Sequence, residues 1–163
     1  MTFRLFLKNL AFTLLVPGTV AFWAPWRWVA PDDFHLPEAW GPIQMLALPV
    51  LALGLGIYLW CVWDFAVTGR GTPAPIDAPK VLVVRGLYHY VRNPMYVGVL
   101  SVLAGEVLLF HSRRLLIYSG AIALMFHLMV LVVEEPILSR EFGEDYAGYR
   151  RRVRRWWPRW PED

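Results

Sequence analysis

Four long apolar stretches alternate with shorter polar segments along the chain. The first covers residues 9–26 and the second residues 43–63, and neither contains a charged residue. The third, 94–111, is interrupted only by Glu106 and His111, and the fourth, 115–133, only by His127. Each is close to the ~20 residues a helix needs to cross ~30 Å of hydrocarbon. The pattern predicts an all-α, polytopic membrane protein with about four transmembrane helices. The first stretch lacks a small-residue cleavage site and is followed by three more, so it reads as a membrane helix rather than a signal peptide. Two connections differ in kind. Residues 27–42 form a Pro- and Trp-bearing loop, whereas 112–114, Ser-Arg-Arg, leave room only for a tight helical hairpin. Ser101 and Gly105, with Gly120, Ala121 and Ala123, are small enough to let the third and fourth helices approach closely.

Composition strengthens this reading. Hydrophobic residues make up 57% of 163 residues and charged residues 18%, which excludes disorder and argues against a soluble enzyme. Aromatic residues at 15% suit a chain that meets a membrane interface. The single cysteine, Cys61, excludes an internal disulfide and a cysteine-based metal cluster, and no other metal-ligand motif occurs. Thirteen of the sixteen Lys and Arg fall at the termini and in the 68–93 connection, with only Arg27, Arg113 and Arg114 on the other side. The positive-inside rule then puts both termini in the cytoplasm.

On that side lie the two segments able to build a polar pocket, the 68–93 loop and the chain from 134 onward. Lys80 to Val84 reads as a short extended piece. Pro94 suits a first helical turn and Asn93 an N-cap, but Arg92 and Tyr96 are left without a structural reason. Tyr88, His89 and Tyr90 read either as pocket wall or as an interfacial belt. Glu134 and Glu135 stand where the fourth span ends. A carboxylate at that depth is either functional or a simple span terminator. His127, seven residues earlier, faces the pocket or hydrogen-bonds a neighbouring helix, the latter being the usual role. Glu106 reaches the interface or pairs with Arg113. Tyr146 and Tyr149 share a helical face directed back toward the pocket if their segment is helical. The Arg- and Trp-rich tail beside a membrane exit is read as binding anionic lipid rather than nucleic acid.

Two motifs carry a resemblance. LVVRGLYHYVRNPMYVGVL is followed, after the third and fourth spans, by EEPILSREFGEDYAGYRRRV and a Pro-containing end. The chain resembles the isoprenylcysteine carboxyl methyltransferase and phospholipid methyltransferase superfamily of integral-membrane methyltransferases over roughly residues 69–158. The resemblance implies S-adenosylmethionine as cofactor, held in a cytoplasmic pocket built from the inner loop and the C-terminal segment. Carried onto this chain, the cofactor contacts fall on Lys80, Val81, Leu82, Val83, Tyr88, Asn93, Pro94, Met95, Tyr96 and Glu134, with Arg92 and Glu134 as candidates for a catalytic role. It implies a single membrane domain over 1–163, with two N-terminal spans in 1–66 and the methyltransferase core in 67–163. Membrane lipids and a lipid-like or small hydrophobic acceptor are the expected partners, with no nucleic acid and no metal, in a bacterial or archaeal inner membrane. Asn93 stands where eukaryotic members carry histidine. Val130 stands where the eukaryotic prenylcysteine enzymes carry a substrate-binding arginine, which argues against a carboxylate acceptor. The alternatives are a sterol-reductase-like oxidoreductase using a nicotinamide cofactor, and a non-enzymatic scaffold or small transporter. The first needs a longer, more basic chain, and the second needs more polar residues within the spans.

Overall fold

The computed structural model describes residues 11–65, 82 and 84–159, and within them each apolar stretch is helical apart from a turn at Val16 and the cap residue His111. Helix α1 covers residues 11–29 and includes two widened π-turns, Thr19–Trp23 and Pro25–Val29. Pro25 has no N–H for the usual i→i−4 bond, and a π-turn accommodates the gap. Helix α2, Pro42–Asp64, starts with proline in its first turn, and the Gln44 side chain accepts from the Gly41 amide at 3.1 Å. Helix α3 is Pro94–Phe110, ended by His111 in the left-handed region at φ 49°. Helix α4, Arg113–Met129, follows at once, with the Ser112 hydroxyl capping the Leu115 amide at 3.2 Å. The tight hairpin expected at 112–114 is therefore present.

The fourth apolar stretch does not end as a helix where its hydrophobicity ends. A π-turn at Val130–Glu134 joins α4 to α5, Glu135–Arg152, and the combined helix is 40 residues long. Pro136 cannot donate to the preceding turn, which gives the π-turn a physical cause. Gly143, at φ 48° and ψ −120°, breaks α5 partway along. Two helices, Pro42–Asp64 and Arg113–Arg152, are long and apolar enough to cross a membrane, whereas Pro94–Phe110 is a shorter apolar helix. Leu53, Leu59, Trp63, Ile117 and Leu124 project outward from α2 and α4, each more than half exposed. Such unbroken outward apolar faces fit hydrocarbon surroundings rather than water.

Helices α2 and α3 make the closest contact in the bundle. Added side chains at Gly54 and Gly98 would come within 2.7–2.9 Å of the facing backbone. Gly105 likewise makes room for Leu51. The small residues of α3 thus serve α2, not α4 as the sequence suggested, and Gly120 on α4 faces open space. A pattern of small residues does not say which neighbour it meets when every face is apolar. The core between the helices holds Ala21, Tyr58, Val99, Val102, Leu103, Ile122 and Phe126. Glu106 is buried inside the bundle and makes no ion pair with Arg113. It is 4% exposed, and its Oε2 has no hydrogen-bond partner among the described residues.

Candidate functional site

The ends of α2, α3 and α4 opposite the 112–114 hairpin carry the polar chemistry, and a short turn shapes them. Gly86 adopts a left-handed φ of 57° and opens a 3-10 turn, Gly86–His89, that turns Tyr88 inward. Tyr88 is buried against Cys61, Phe65, Leu87 and Met95. Its backbone oxygen accepts from the Tyr149 hydroxyl at 2.7 Å. The chain then passes Val91 and Arg92 and enters α3 at Pro94, which is buried in the first helical turn.

Asn93 occupies the N-cap position but makes no side-chain cap bond. Its amide instead donates to the Arg155 carbonyl at 3.1 Å. The reason is the C-terminal tail, which runs beside the motif. The Arg92 amide donates to the Arg154 carbonyl and the Arg159 amide to the Tyr90 carbonyl, each at 2.9 Å. Val91 and Arg154 form an isolated parallel bridge, and no strand is formed among the described residues. The extended piece expected at Lys80 to Val84 is represented only by Leu82 and Val84. Both pack on the Tyr146, Tyr149 and Val153 cluster. Lys80, Val81 and Val83 lie outside the described residues.

The two glutamates have different environments although they are adjacent. Glu135 is buried among three arginines, with Arg155 Nε at 2.7 Å, Arg92 Nη1 at 3.0 Å and Arg150 Nη2 at 3.6 Å. Burial pushes its carboxyl up, but the Arg155 hydrogen bond and the three guanidinium charges outweigh this and hold it below the usual carboxylate range. Glu134 turns the other way and accepts a hydrogen bond from the Tyr96 hydroxyl. Burial raises its carboxyl above the ordinary value, opposed by the Tyr96 bond and helped by the neighbouring Glu135 charge. Adjacent positions on a helix point in different directions, which sends the two side chains to different partners.

Aromatic rings line the Glu134 side. The Tyr96 ring lies 4.4 Å from Phe126 and 6.5 Å from Trp156, centroid to centroid. His127 accepts from the Trp156 indole at 3.0 Å, so its partner comes from the tail and not from a neighbouring helix. Val130 is fully buried within the bundle. Met95 bridges the Tyr88 cluster and the main core. Tyr146 and Tyr149 are both buried on the inner face of α5, as their spacing suggested.

Thus Arg92, Asn93, Pro94, Met95, Tyr96, Tyr88 and Glu134 converge on one end of the bundle, and Leu82 sits against the α5 cluster beside them. Sequence reasoning missed the specific parts played by Arg150, Arg155 and Trp156, which were visible only as members of a basic, aromatic tail. It also missed Asp64, which is buried at the end of α2. No group of His, Cys, Asp and Glu among the described residues could hold a metal ion.

Residues 43–145 match the family model for phospholipid methyltransferase, a stretch that takes in α2, α3, α4 and most of α5. No curated protein and no solved structure matches the chain.

Proposed function

The chain belongs to the phospholipid methyltransferase family, and from that membership we propose that it transfers a methyl group from S-adenosylmethionine to a lipid-like or small hydrophobic acceptor. The observation that carries this reading is the Glu134–Tyr96 pair, set beside the arginine-bound Glu135 at the end of the bundle. A sulfonium cofactor is cationic and carries hydroxyl and amine donors. The residues here fit it, since a half-buried carboxylate accepts such donors and the faces of Tyr96 and Trp156 favour a cation.

When bound, S-adenosylmethionine would supply an activated methyl on a sulfur that departs as a neutral thioether. The protein's task is then to bind, orient and keep water out. Glu134 is the anchoring carboxylate, and Tyr96 fixes its orientation. The cluster of Glu135 with Arg92, Arg150 and Arg155 pins the start of α3 to the start of α5, which keeps Tyr96 and Glu134 in register. Leu82 and Tyr88 form the remaining cofactor wall, and Asn93, Pro94 and Met95 complete it, while the contacts that the family resemblance implies for Lys80, Val81 and Val83 fall outside the described residues. The buried Val130 offers no positive charge to an acceptor carboxylate.

The apolar stretches cross the bilayer four times, with the site and both termini on the cytoplasmic side. This arrangement lets a polar cofactor arrive from water and a nonpolar acceptor arrive sideways from lipid. The test is transfer of radiolabelled methyl from S-adenosylmethionine by the purified chain in phospholipid vesicles. Label should enter the lipid-extractable fraction and be lost with Glu134→Ala. Absence of transfer together with absence of cofactor binding would overturn the proposal.

A further inference from the structure

Among the described residues, three carboxylates at the site end of the bundle are withdrawn from solvent, and they differ in their partners. Glu135 has three arginines and Glu134 has the Tyr96 hydroxyl. Asp64, the last residue of α2, is 7% exposed, and its Oδ2 has no hydrogen-bond partner among the described residues. That oxygen lies against the Cα of Gly86, where any side chain would collide with it, and the Trp60 indole nitrogen borders the same space. Gly86 also holds a left-handed φ of 57° at the start of the turn bearing Tyr88, so this turn lies against the Asp64 carboxylate. One helical turn earlier on α2, Cys61 packs on Tyr88, which ties Asp64 to the wall already described.

A carboxylate oxygen withdrawn from water without a donor is costly, and a cationic N–H is the counterpart that relieves it best. We infer that Asp64 Oδ2 receives a protonated amine of the ligand bound at this end of the bundle. This inference rests on the methyltransferase reading, under which that amine comes either from the cofactor's amino-acid part or from an amine-bearing acceptor.

The experiment uses the full chain and Asp64→Asn. Both are titrated calorimetrically with S-adenosylhomocysteine and with 5′-methylthioadenosine, which lacks the amino-acid part. Both are also assayed for methyl transfer in vesicles of an amine-headgroup phospholipid. If the cofactor supplies the amine, Asp64→Asn binds S-adenosylhomocysteine at least tenfold more weakly and 5′-methylthioadenosine unchanged. If the acceptor supplies it, cofactor affinity holds and the KM for the amine lipid rises at least tenfold. No change in either measurement overturns the inference and leaves the methyltransferase reading standing. A wild-type chain that binds neither nucleoside and transfers no methyl removes that reading and the inference with it. Should Asp64→Asn fail to fold, the wild-type chain still decides. Equal affinity for S-adenosylhomocysteine and its deaminated analogue, together with equal labelling of amine-headgroup and phosphatidylglycerol vesicles, overturns the inference.

Discussion

Glu134 and Glu135 are neighbours in sequence, and folding shifts their carboxyls in opposite directions, so they predict opposite pH behaviour. Glu135, held low by its arginines, contributes stability that is present above the ordinary carboxylate pKa and is lost as pH falls through its folded value. Glu134, raised by burial, contributes stability below the ordinary value that is lost as pH rises through its folded value. Glu135→Gln should therefore destabilise the protein at neutral pH by about 1–3 kcal/mol. This is less than the ~3–5 kcal/mol of a fully buried pair, because Arg150 and Arg155 are partly exposed. Glu134→Gln should leave the melting temperature at neutral pH unchanged or raised, while weakening cofactor binding. Thermal melts of both variants across pH 4–8 check the signs. The motif singles out Tyr96 and Glu134 in the sequence, and the structure joins them by a hydrogen bond. Asn93 was read by a local rule as a cap, but its partner is the Arg155 carbonyl, 62 residues away, and no local pattern carries that. Asp64 escaped notice because a single carboxylate after an uncharged span looks like a terminator.

Among the helices, α2 and α3 are in contact through glycine. Gly98→Ala brings a methyl within 2.9 Å of the Gly54 carbonyl and the Tyr58 amide, both rigid backbone. The helices must separate, at a cost of about 1–3 kcal/mol, and the melting temperature in detergent should fall. Gly120→Ala, which meets nothing within 4 Å, should be neutral or slightly stabilising. Equal effects at the two positions would contradict this packing. The tail gives a second prediction at this scale. Truncation after Phe142 removes the Tyr149, Arg155 and Trp156 bonds to Tyr88, Glu135 and His127. Cofactor affinity should fall at least tenfold, about 1.4 kcal/mol, while membrane insertion survives. Apolar runs were enough to locate the helices and the hairpin. They were not enough to pair them, because a helix that is hydrophobic all round carries no record of which side meets protein and which meets lipid.

Across the whole molecule, the charge asymmetry and the polar cluster make one claim together. Polar chemistry gathers at the end of the bundle opposite the 112–114 hairpin, and along the sequence thirteen of the sixteen Lys and Arg fall in the termini and the 68–93 connection. Four crossings with that end in the cytoplasm predict that a cysteine at His35, in a chain whose buried Cys61 is replaced by serine, reacts with an impermeant reagent only from the outer side. Labelling from the cytoplasmic side alone would reverse the orientation. The all-helical architecture and its membrane character were legible from periodicity and composition. The way the tail folds back across the motif was not, since it depends on backbone bonds between segments some 60 residues apart. The most direct test of the account is calorimetric titration of the detergent-solubilised protein with S-adenosylhomocysteine, run beside a reduced nicotinamide cofactor. S-adenosylhomocysteine should bind saturably and at least tenfold more weakly to Glu134→Ala, and the nicotinamide should not bind. Binding of the nicotinamide alone would contradict this.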